Sequence, residues 1–444
     1  MTTYDYDVLY IGSGHGTFDG AIPLGAKGFK VGVIEQDLIG GTCPNRGCNA
    51  KIVLDSPVAL KRHLADVHHI VTGETTIDWA ANQAHKRAVI SGLPAFIQGL
   101  LDDHSVDVIF GQGQLLDAHT VLVAGQNKTA DKIVIATGLR PNRLDIPGSE
   151  FAHDSEDFMN LTVMPKRLTI IGAGYIGMEF ATMANAAGAE VTVLMRGSQA
   201  LRAYHQPFVA QIMADLTKRG VTFVTDTAVT TIDQQRDHFI VRGDEGFEMQ
   251  TDWILDATGR VPNIESLNLA KVGVKYTPKG IVVDQYLRTN VPSIYAAGDV
   301  IDKTQPKLTP TAIFESKYLM HLFAGETSAP IDYPVVPSVV FTSPRLAQAG
   351  VTVAEAEAHP DQYVIEKHHV PDDWYRQVEQ ETMGDNVLIF DQKHTLVGAT
   401  EVSHRADDVI NALLPAITFQ YGAEEIERLI HVFPSIAASA WDQL

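Results

Sequence analysis

The sequence predicts an α/β chain made of two copies of one strand–turn–helix–strand unit, followed by an α+β region towards the C-terminus. An apolar strand meets a glycine-rich turn close to the start, the same pattern returns in mid-chain, and the last quarter alternates short strands with helices.

The first unit runs from a strand at Asp7–Ile11 through the turn Gly12-Ser13-Gly14-His15-Gly16 and a helix to a second strand, Lys30–Ile34, that closes on Glu35. The second begins at Arg167–Ile171, turns through Gly172-Ala173-Gly174-Tyr175-Ile176-Gly177, continues as a helix to about Ala187 and returns as the strand Val191–Leu194. Between them, Leu, Val and Ile recur at helical spacing over 55–105, which reads as one or two long helices, with short strands near 107–136. A strand segment is expected at Leu287–Val300, and the Pro-rich stretch Pro330–Pro337 looks like a boundary. Beyond it, strands are expected at 337–342, 362–370, 387–391 and 395–400. At 444 residues the chain amounts to about three domains of roughly 150 residues each.

Composition narrows the function classes. The net charge of −20 repels phosphate backbones and anionic lipid, so neither nucleic acid nor a membrane surface is an expected partner. No apolar run approaches the roughly 18 residues of a membrane span, and the start lacks the basic segment of a secretory signal, so a cytoplasmic location is expected. The adjacent pairs His68-His69 and His368-His369 diverge on any regular element, and no metal site is expected. Pro371-Asp372-Asp373-Trp374 reads as a turn.

A glycine turn between a strand and a helix lets backbone approach a pyrophosphate, whose charge then rests at the helix N-terminus, and an acidic residue about twenty positions on accepts from a ribose hydroxyl. Glu35 stands where that acceptor is needed. In the first copy Thr17 replaces the third glycine and Pro23 falls inside the helix; the second copy, Gly172-x-Gly174-x-x-Gly177, is complete. Its second strand ends in Met195-Arg196, with Arg202 shortly after and no carboxylate. That suits a 2′-phosphate, and NADPH is favoured over NADH.

Cys43 and Cys48 are the only cysteines. On a regular helix, positions five apart lie about 8.6 Å apart, beyond the roughly 7 Å that a disulfide spans. Pro44 and Gly47 permit an irregular turn, which makes a bridge feasible, and a helix N-terminus together with Arg46 would favour a thiolate. Two structural thiols are the alternative.

On these residues the chain resembles the FAD-dependent pyridine nucleotide-disulfide oxidoreductases, the group of glutathione reductase, dihydrolipoamide dehydrogenase and mercuric reductase. The likeness extends along the chain through Gly40-Gly41-Thr42-Cys43, Lys51, Ala136-Thr137-Gly138, Glu179, Ala257-Thr258-Gly259, Ala297-Gly298-Asp299, Leu308-Thr309-Pro310 and Pro337–Pro344. The resemblance implies two Rossmann-like dinucleotide-binding domains and a C-terminal dimerisation domain. FAD would occupy 1–145 and 265–328, NADPH 146–264, and the dimer interface 329–444. FAD would be held by Gly12, Gly14, Glu35, Gly41, Thr42, Thr137, Gly138, Gly298, Asp299, Leu308 and Thr309, and NADPH by Gly172, Gly174, Gly177, Arg196, Arg202 and Gly259. By the same resemblance Cys43 and Cys48 form the redox-active disulfide, with Cys48 facing the flavin and Cys43 attacking substrate. Lys51 would pair with Glu179, and Tyr175 would cover the nicotinamide pocket.

One departure matters. Disulfide-reducing members carry a His-Pro followed by a Glu near the C-terminus, the His serving as acid and base. Here Phe433 and Ala438 stand at those positions, and His431 lies two residues upstream. The expectation is a homodimeric NADPH-dependent reductase of a small glutathione-like disulfide. A non-disulfide acceptor such as a metal ion, quinone or oxidised small anion, a dihydrolipoamide-dehydrogenase-like activity, and a non-enzymatic redox sensor are the alternatives.

Overall fold

The computed structural model describes residues 4–444. It divides into two compact units. The first comprises residues 1–53, 84–142 and 260–333, and the second 54–83, 143–259 and 334–444.

The first unit is centred on a parallel sheet in the order Val106–Phe110, Val31–Glu35, Tyr6–Ile11, Gln126–Ile135, with Ile294–Ala296 also paired to the last of these. Val8 sits opposite Val31 on one side and Lys132 on the other. Val8, Leu9, Tyr10, Val33, Ile34, Ile133 and Val134 are all buried, as expected of strands covered on both faces. The strands end together at their carboxyl edge, which carries Gly12, Glu35, Ala136-Thr137-Gly138 and Ala297-Gly298-Asp299. In an open α/β sheet this edge is where ligands bind. Pro23 lies inside the helix Phe18–Ala26 without ending it. Gly20 lets that helix approach the helix Thr309–Phe323, because a Cβ there would come within 2.4 Å of the Ser316 carbonyl oxygen.

The second unit contains a parallel sheet in the order Thr222–Val224, Glu190–Leu194, Arg167–Ile171, Trp253–Asp256, and a three-stranded antiparallel meander, Val229–Gln234, Phe239–Gly243 and Glu248–Thr251. Its C-terminal part is a five-stranded antiparallel sheet ordered Ser338–Val340, Arg345–Gly350, Leu396–Ser403, Asp385–Asp391, Tyr363–His369, packed against the helix Ala406–Phe419.

Several expectations change in detail. Segment 55–105 holds parts of three helices, Cys48–Asp66, Trp79–Ile90 and Leu93–Asp103, separated by a polar turn near Gly73 and by Ser91-Gly92. Within Leu287–Val300 only Ile294–Ala296 is a strand, since Asp284 accepts the amides of Tyr286 and Arg288 and Leu287 takes a positive φ. The strand Arg345–Gly350 lacks a clear alternation and was missed. Asp373 caps the short helix Trp374–Val378 through the amides of Tyr375 and Arg376, so the expected turn is also a helix start. Among the described residues no helix is long and apolar enough to cross a membrane, and no three metal-ligating side chains converge.

Candidate active site

Both glycine turns fold as their spacing demands. Gly12 has a φ of 101°, and a Cβ there would meet the Ala136 carbonyl oxygen at 2.5 Å; Gly172 repeats this with a φ of 108° and the Ala257 oxygen at 2.5 Å. The third position separates the copies. A Cβ on Gly177 would lie 2.0 Å from the Gly172 carbonyl oxygen, so glycine is required. In the first copy the fully buried Thr17 turns its hydroxyl onto the Gly12 carbonyl at 2.8 Å, and the missing glycine is replaced by a hydrogen bond.

At the end of the second strand, Glu35 is 8% exposed; one of its oxygens accepts the Ser13 amide at 3.0 Å and hydroxyl at 2.6 Å, and the other accepts the Asp37 amide at 2.9 Å. Four lone-pair sites are not exhausted by three donors, so the carboxylate can still accept a ribose hydroxyl. Asp299 lies at the same sheet edge. Burial raises its pKa, against the charges of Lys303, Arg260 and Lys307, and among the described residues no donor reaches its carboxyl group.

The cysteines stand on either side of a helix break. Thr42–Arg46 and Cys48–Asp66 are separate helices because Gly47 leaves helical geometry, with φ −138° and ψ −124°, and in that conformation a Cβ would press on the Thr42 oxygen at 2.9 Å and the Cys43 Cα at 3.1 Å. The break brings two reduced thiols within hydrogen-bonding reach of each other, which a continuous helix forbids. Their acidities diverge. Cys48 is lowered from 9.0 to about 5, chiefly by the hydrogen bond from Cys43, then by the Thr309 hydroxyl 3.5 Å away and the charge of Lys51, against the cost of burial. Its place at the start of the helix Cys48–Asp66 acts in the same direction. Cys43 is pushed up, because it donates to Cys48, is partly buried and faces a negative sulfur; Asn49 Oδ1 lies 3.8 Å from it. The Arg46 guanidinium pairs with Asp37. Lys51 brings positive charge to Cys48.

In the second unit, Gly172, Gly174 and Gly177 lead into the helix Tyr175–Ala186, and a Cβ on Gly174 would meet nothing within 4 Å, leaving that helix start open. Tyr175 is 50% exposed, while Glu179 is buried and accepts the Phe341 amide at 2.9 Å. Arg196 and Arg202 are exposed, and the Arg202 guanidinium lies beside Gly197, next in sequence to Arg196. Among the described residues neither arginine has an ion-pair partner. Gly259 follows the strand Trp253–Asp256 and Thr258, whose amide and hydroxyl bond Asp256.

Sequence reasoning missed Thr17, Asn49 and the partners of the Gly298 turn described below. It had only the local signal of a Thr at a glycine position to find the first. Near the C-terminus, Phe433 is 75% exposed and touches Tyr375 edge-on, Ala438 is buried, and His431 stacks on Trp441 at 5.1 Å between ring centres.

The chain belongs to the pyridine nucleotide-disulphide oxidoreductases. That family's model matches residues 6–316, and the model of its dimerisation domain matches 336–443. The chain is 30% identical to a glutathione reductase of Nostoc sp., covering 98% of both chains, and 32% identical to a dihydrolipoyl dehydrogenase of Geobacillus stearothermophilus, covering 98% of this chain and 95% of that one. It is 32% identical to a mercuric reductase of Staphylococcus aureus over 95% of this chain and 79% of that protein. Among solved structures it is similar to the HOCl-induced flavoprotein disulfide reductase RclA from Escherichia coli, with a TM-score of 0.89, 26% identity, and 98% and 99% of the two chains covered.

The family binds FAD and uses NAD(P)H, and the first unit fits the flavin nucleotide on its own evidence. Among the described residues Thr137 Oγ1 is buried with no partner and the Asp299 carboxyl lacks a donor, and a Cβ on Gly41 would lie 2.8 Å from Gly14 Cα, so bare backbone faces bare backbone beside the glycine turn.

Proposed function

We propose that the protein is a homodimeric NADPH-dependent FAD flavoprotein that reduces a small glutathione-like disulfide through Cys43 and Cys48. The observation that carries this reading is the helix break at Gly47, which sets Cys43 and Cys48 within hydrogen-bonding reach of each other with the Thr309 hydroxyl 3.5 Å from Cys48 and the Lys51 charge favouring its thiolate. Bound FAD supplies the two-electron relay from the nicotinamide to the cysteine disulfide.

The chain's residues do the rest. Gly172, Gly174 and Gly177 bring backbone to the NADPH pyrophosphate, and Arg196 and Arg202, free of carboxylate partners among the described residues, take its 2′-phosphate. Glu35 and Asp299 accept hydroxyls of FAD, and Thr137 offers its unpartnered hydroxyl. Cys48 holds the negative charge against Lys51 and Thr309. Cys43 passes its proton to the Cys48 thiolate as it attacks one sulfur of the substrate, forming a mixed disulfide and expelling the first thiolate, which takes that proton and leaves Cys48 ionised again. Cys48 then attacks Cys43, and the second thiol leaves with the re-formed Cys43–Cys48 disulfide. Over the cycle NADPH supplies two electrons and one proton as hydride, and one further proton comes from the medium. Lys51, Glu179 and Tyr175 keep the roles that the resemblance gives them. The exposed apolar residues Ile430, Val432 and Phe433 of the dimerisation region suit a surface covered by a second copy, and a cytoplasmic location belongs to the same reading.

A second reading is favoured by Phe433. With no imidazole there, and with His431 engaged on Trp441, proton transfer to a leaving thiol lacks the help worth roughly 10²–10⁴ in rate. An acceptor that needs no such proton, such as a metal ion, quinone or oxidised small anion, would suit the dithiol better.

Anaerobic titration with NADPH, followed at the long-wavelength absorbance of a thiolate against oxidised flavin and then by glutathione disulfide, separates the two. Rapid discharge of the band supports the disulfide reductase; a band that persists with the disulfide but is discharged by a non-disulfide acceptor supports the second reading. Absence of the band altogether refutes the assignment of Cys48. In a Cys43→Ser variant disulfide reduction must vanish.

A further inference from the structure

Behind the Gly298–Asp299 turn lies a buried ion pair that no sequence motif announces. Glu315, from the helix Thr309–Phe323, has no exposed surface, and the side chain of its partner Lys303 is 4% exposed. Three donors converge on the carboxylate. Lys303 Nζ and the Tyr333 hydroxyl reach one oxygen at 2.6 and 2.7 Å, and the Gly298 amide reaches the other at 2.6 Å. Burial raises the Glu315 pKa, while the Lys303 charge and the hydrogen bonds from Lys303, Tyr333 and the Gly298 amide oppose it and favour the carboxylate. On the far side of the turn, Lys307 Nζ donates to the Asp299 carbonyl at 2.8 Å and to the Lys279 carbonyl at 2.6 Å. The backbone that presents the Asp299 carboxyl is therefore gripped at the amide before it and at its own carbonyl.

A turn of this kind does not need a buried charge to form. Removing two ions from water costs several kcal/mol each, and a neutral acceptor would satisfy the Gly298 amide. What the pair adds is rigidity from short charge-assisted bonds, together with cancellation of the Lys303 charge beside a site already bearing Lys307 and Arg260.

We propose that Glu315 is a positioning residue for the flavin nucleotide: through the Gly298 amide it fixes the Asp299 carboxyl, and by neutralising Lys303 it sets the electrostatic poise of that end of the site. This rests on the reading of Asp299 as an FAD ligand. A Glu315→Gln variant leaves Lys303 as an uncompensated cation, which favours the more negative, reduced cofactor. Lys303→Met leaves an uncompensated carboxylate and does the opposite. The double variant restores neutrality.

The test uses purified holoenzyme of the wild type, Glu315→Gln, Lys303→Met, the double variant and Asp299→Asn. It measures FAD release by fluorescence and the two-electron midpoint potential against a reference dye. Glu315→Gln is expected to weaken FAD binding about tenfold or more, the loss of one charged hydrogen bond. The reduced form should be held about tenfold better relative to the oxidised form, an upward shift of about 30 mV. Lys303→Met should shift the potential downward, and the double variant should return towards wild type. A purely structural pair would loosen FAD in every variant without potential shifts of opposite sign, and that result overturns the proposal. If Glu315→Gln does not fold, Lys303→Met decides by the sign of its shift. If Asp299→Asn leaves FAD binding unchanged, the reading of Asp299 fails and the proposal with it; if Asp299→Asn weakens FAD while Glu315→Gln changes neither quantity, only the proposal fails.

Discussion

Replacing Thr309 by valine removes one hydroxyl and preserves shape, so it isolates a single support of the Cys48 thiolate. The hydroxyl lies 3.5 Å from Cys48 Sγ, a long contact. A hydrogen bond to a charged group is worth about 1.5–3 kcal/mol, and at this separation the lower end applies, close to the 1.36 kcal/mol that shifts a pKa by about one unit. The Cys48 pKa should therefore rise from about 5 towards about 6. The sign is fixed by chemistry, because the lost donor stabilised only the anion. At about pH 5 the thiolate fraction would fall roughly fivefold, and at about pH 8 it would hardly change. The assay is the rate of iodoacetamide alkylation of the reduced protein against pH, with Cys48→Ser as the blank. Alkylation of Cys43 is separated from that of Cys48 by mass spectrometry of the cysteine-bearing peptides. A midpoint that stays where it was, or moves down, would refute the assignment of Thr309 as a thiolate donor.

Other outcomes follow from the same geometry. Changing Arg196 and Arg202 together to Gln should raise the KM for NADPH about 10–100-fold, as two partly solvated charge-assisted contacts are lost, and leave that for NADH unchanged; an equal rise for both cofactors would contradict 2′-phosphate recognition. Gly177→Ala sets a methyl group 2.0 Å from the Gly172 oxygen, so NADPH binding measured by fluorescence should collapse while the flavin content of the protein holds. His404 should make stability pH-dependent. Burial opposes its charged form, but the hydrogen bond to Asp66 and the charges of Glu381 and Asp66 outweigh it and raise the pKa above 6.5. The stabilisation is then complete below the unfolded value and fades as pH climbs through the folded one. Urea midpoints across about pH 5.5 to 8.5 should show that decline in wild type and lose it in His404→Gln; a decline that survives the substitution would assign it elsewhere.

Much of the site was legible because its signals are local. Glycine spacing, an acidic residue after the second strand and a cysteine pair broken by Pro44 and Gly47 each dictate the conformation of a few consecutive residues, and the structure forms each of them. Where the sequence misled, a local inference lacked a distant partner. Thr17 looks like a defect until its hydroxyl finds the Gly12 carbonyl. The strand Arg345–Gly350 shows no period of its own and is defined by pairing with Leu396–Ser403.

The sequence by itself thus determined the two glycine turns, the broken helix at the cysteine pair and the family, since these depend on backbone freedom and residue chemistry over short spans. Only the tertiary structure decided what surrounds the cysteine pair and the Gly298 turn. Thr309 reaches Cys48 from 261 residues away and Glu315 holds Gly298 from a separate helix. A hydrogen bond of about 3 Å between remote segments exists only once the sheet has set the ends of its strands side by side.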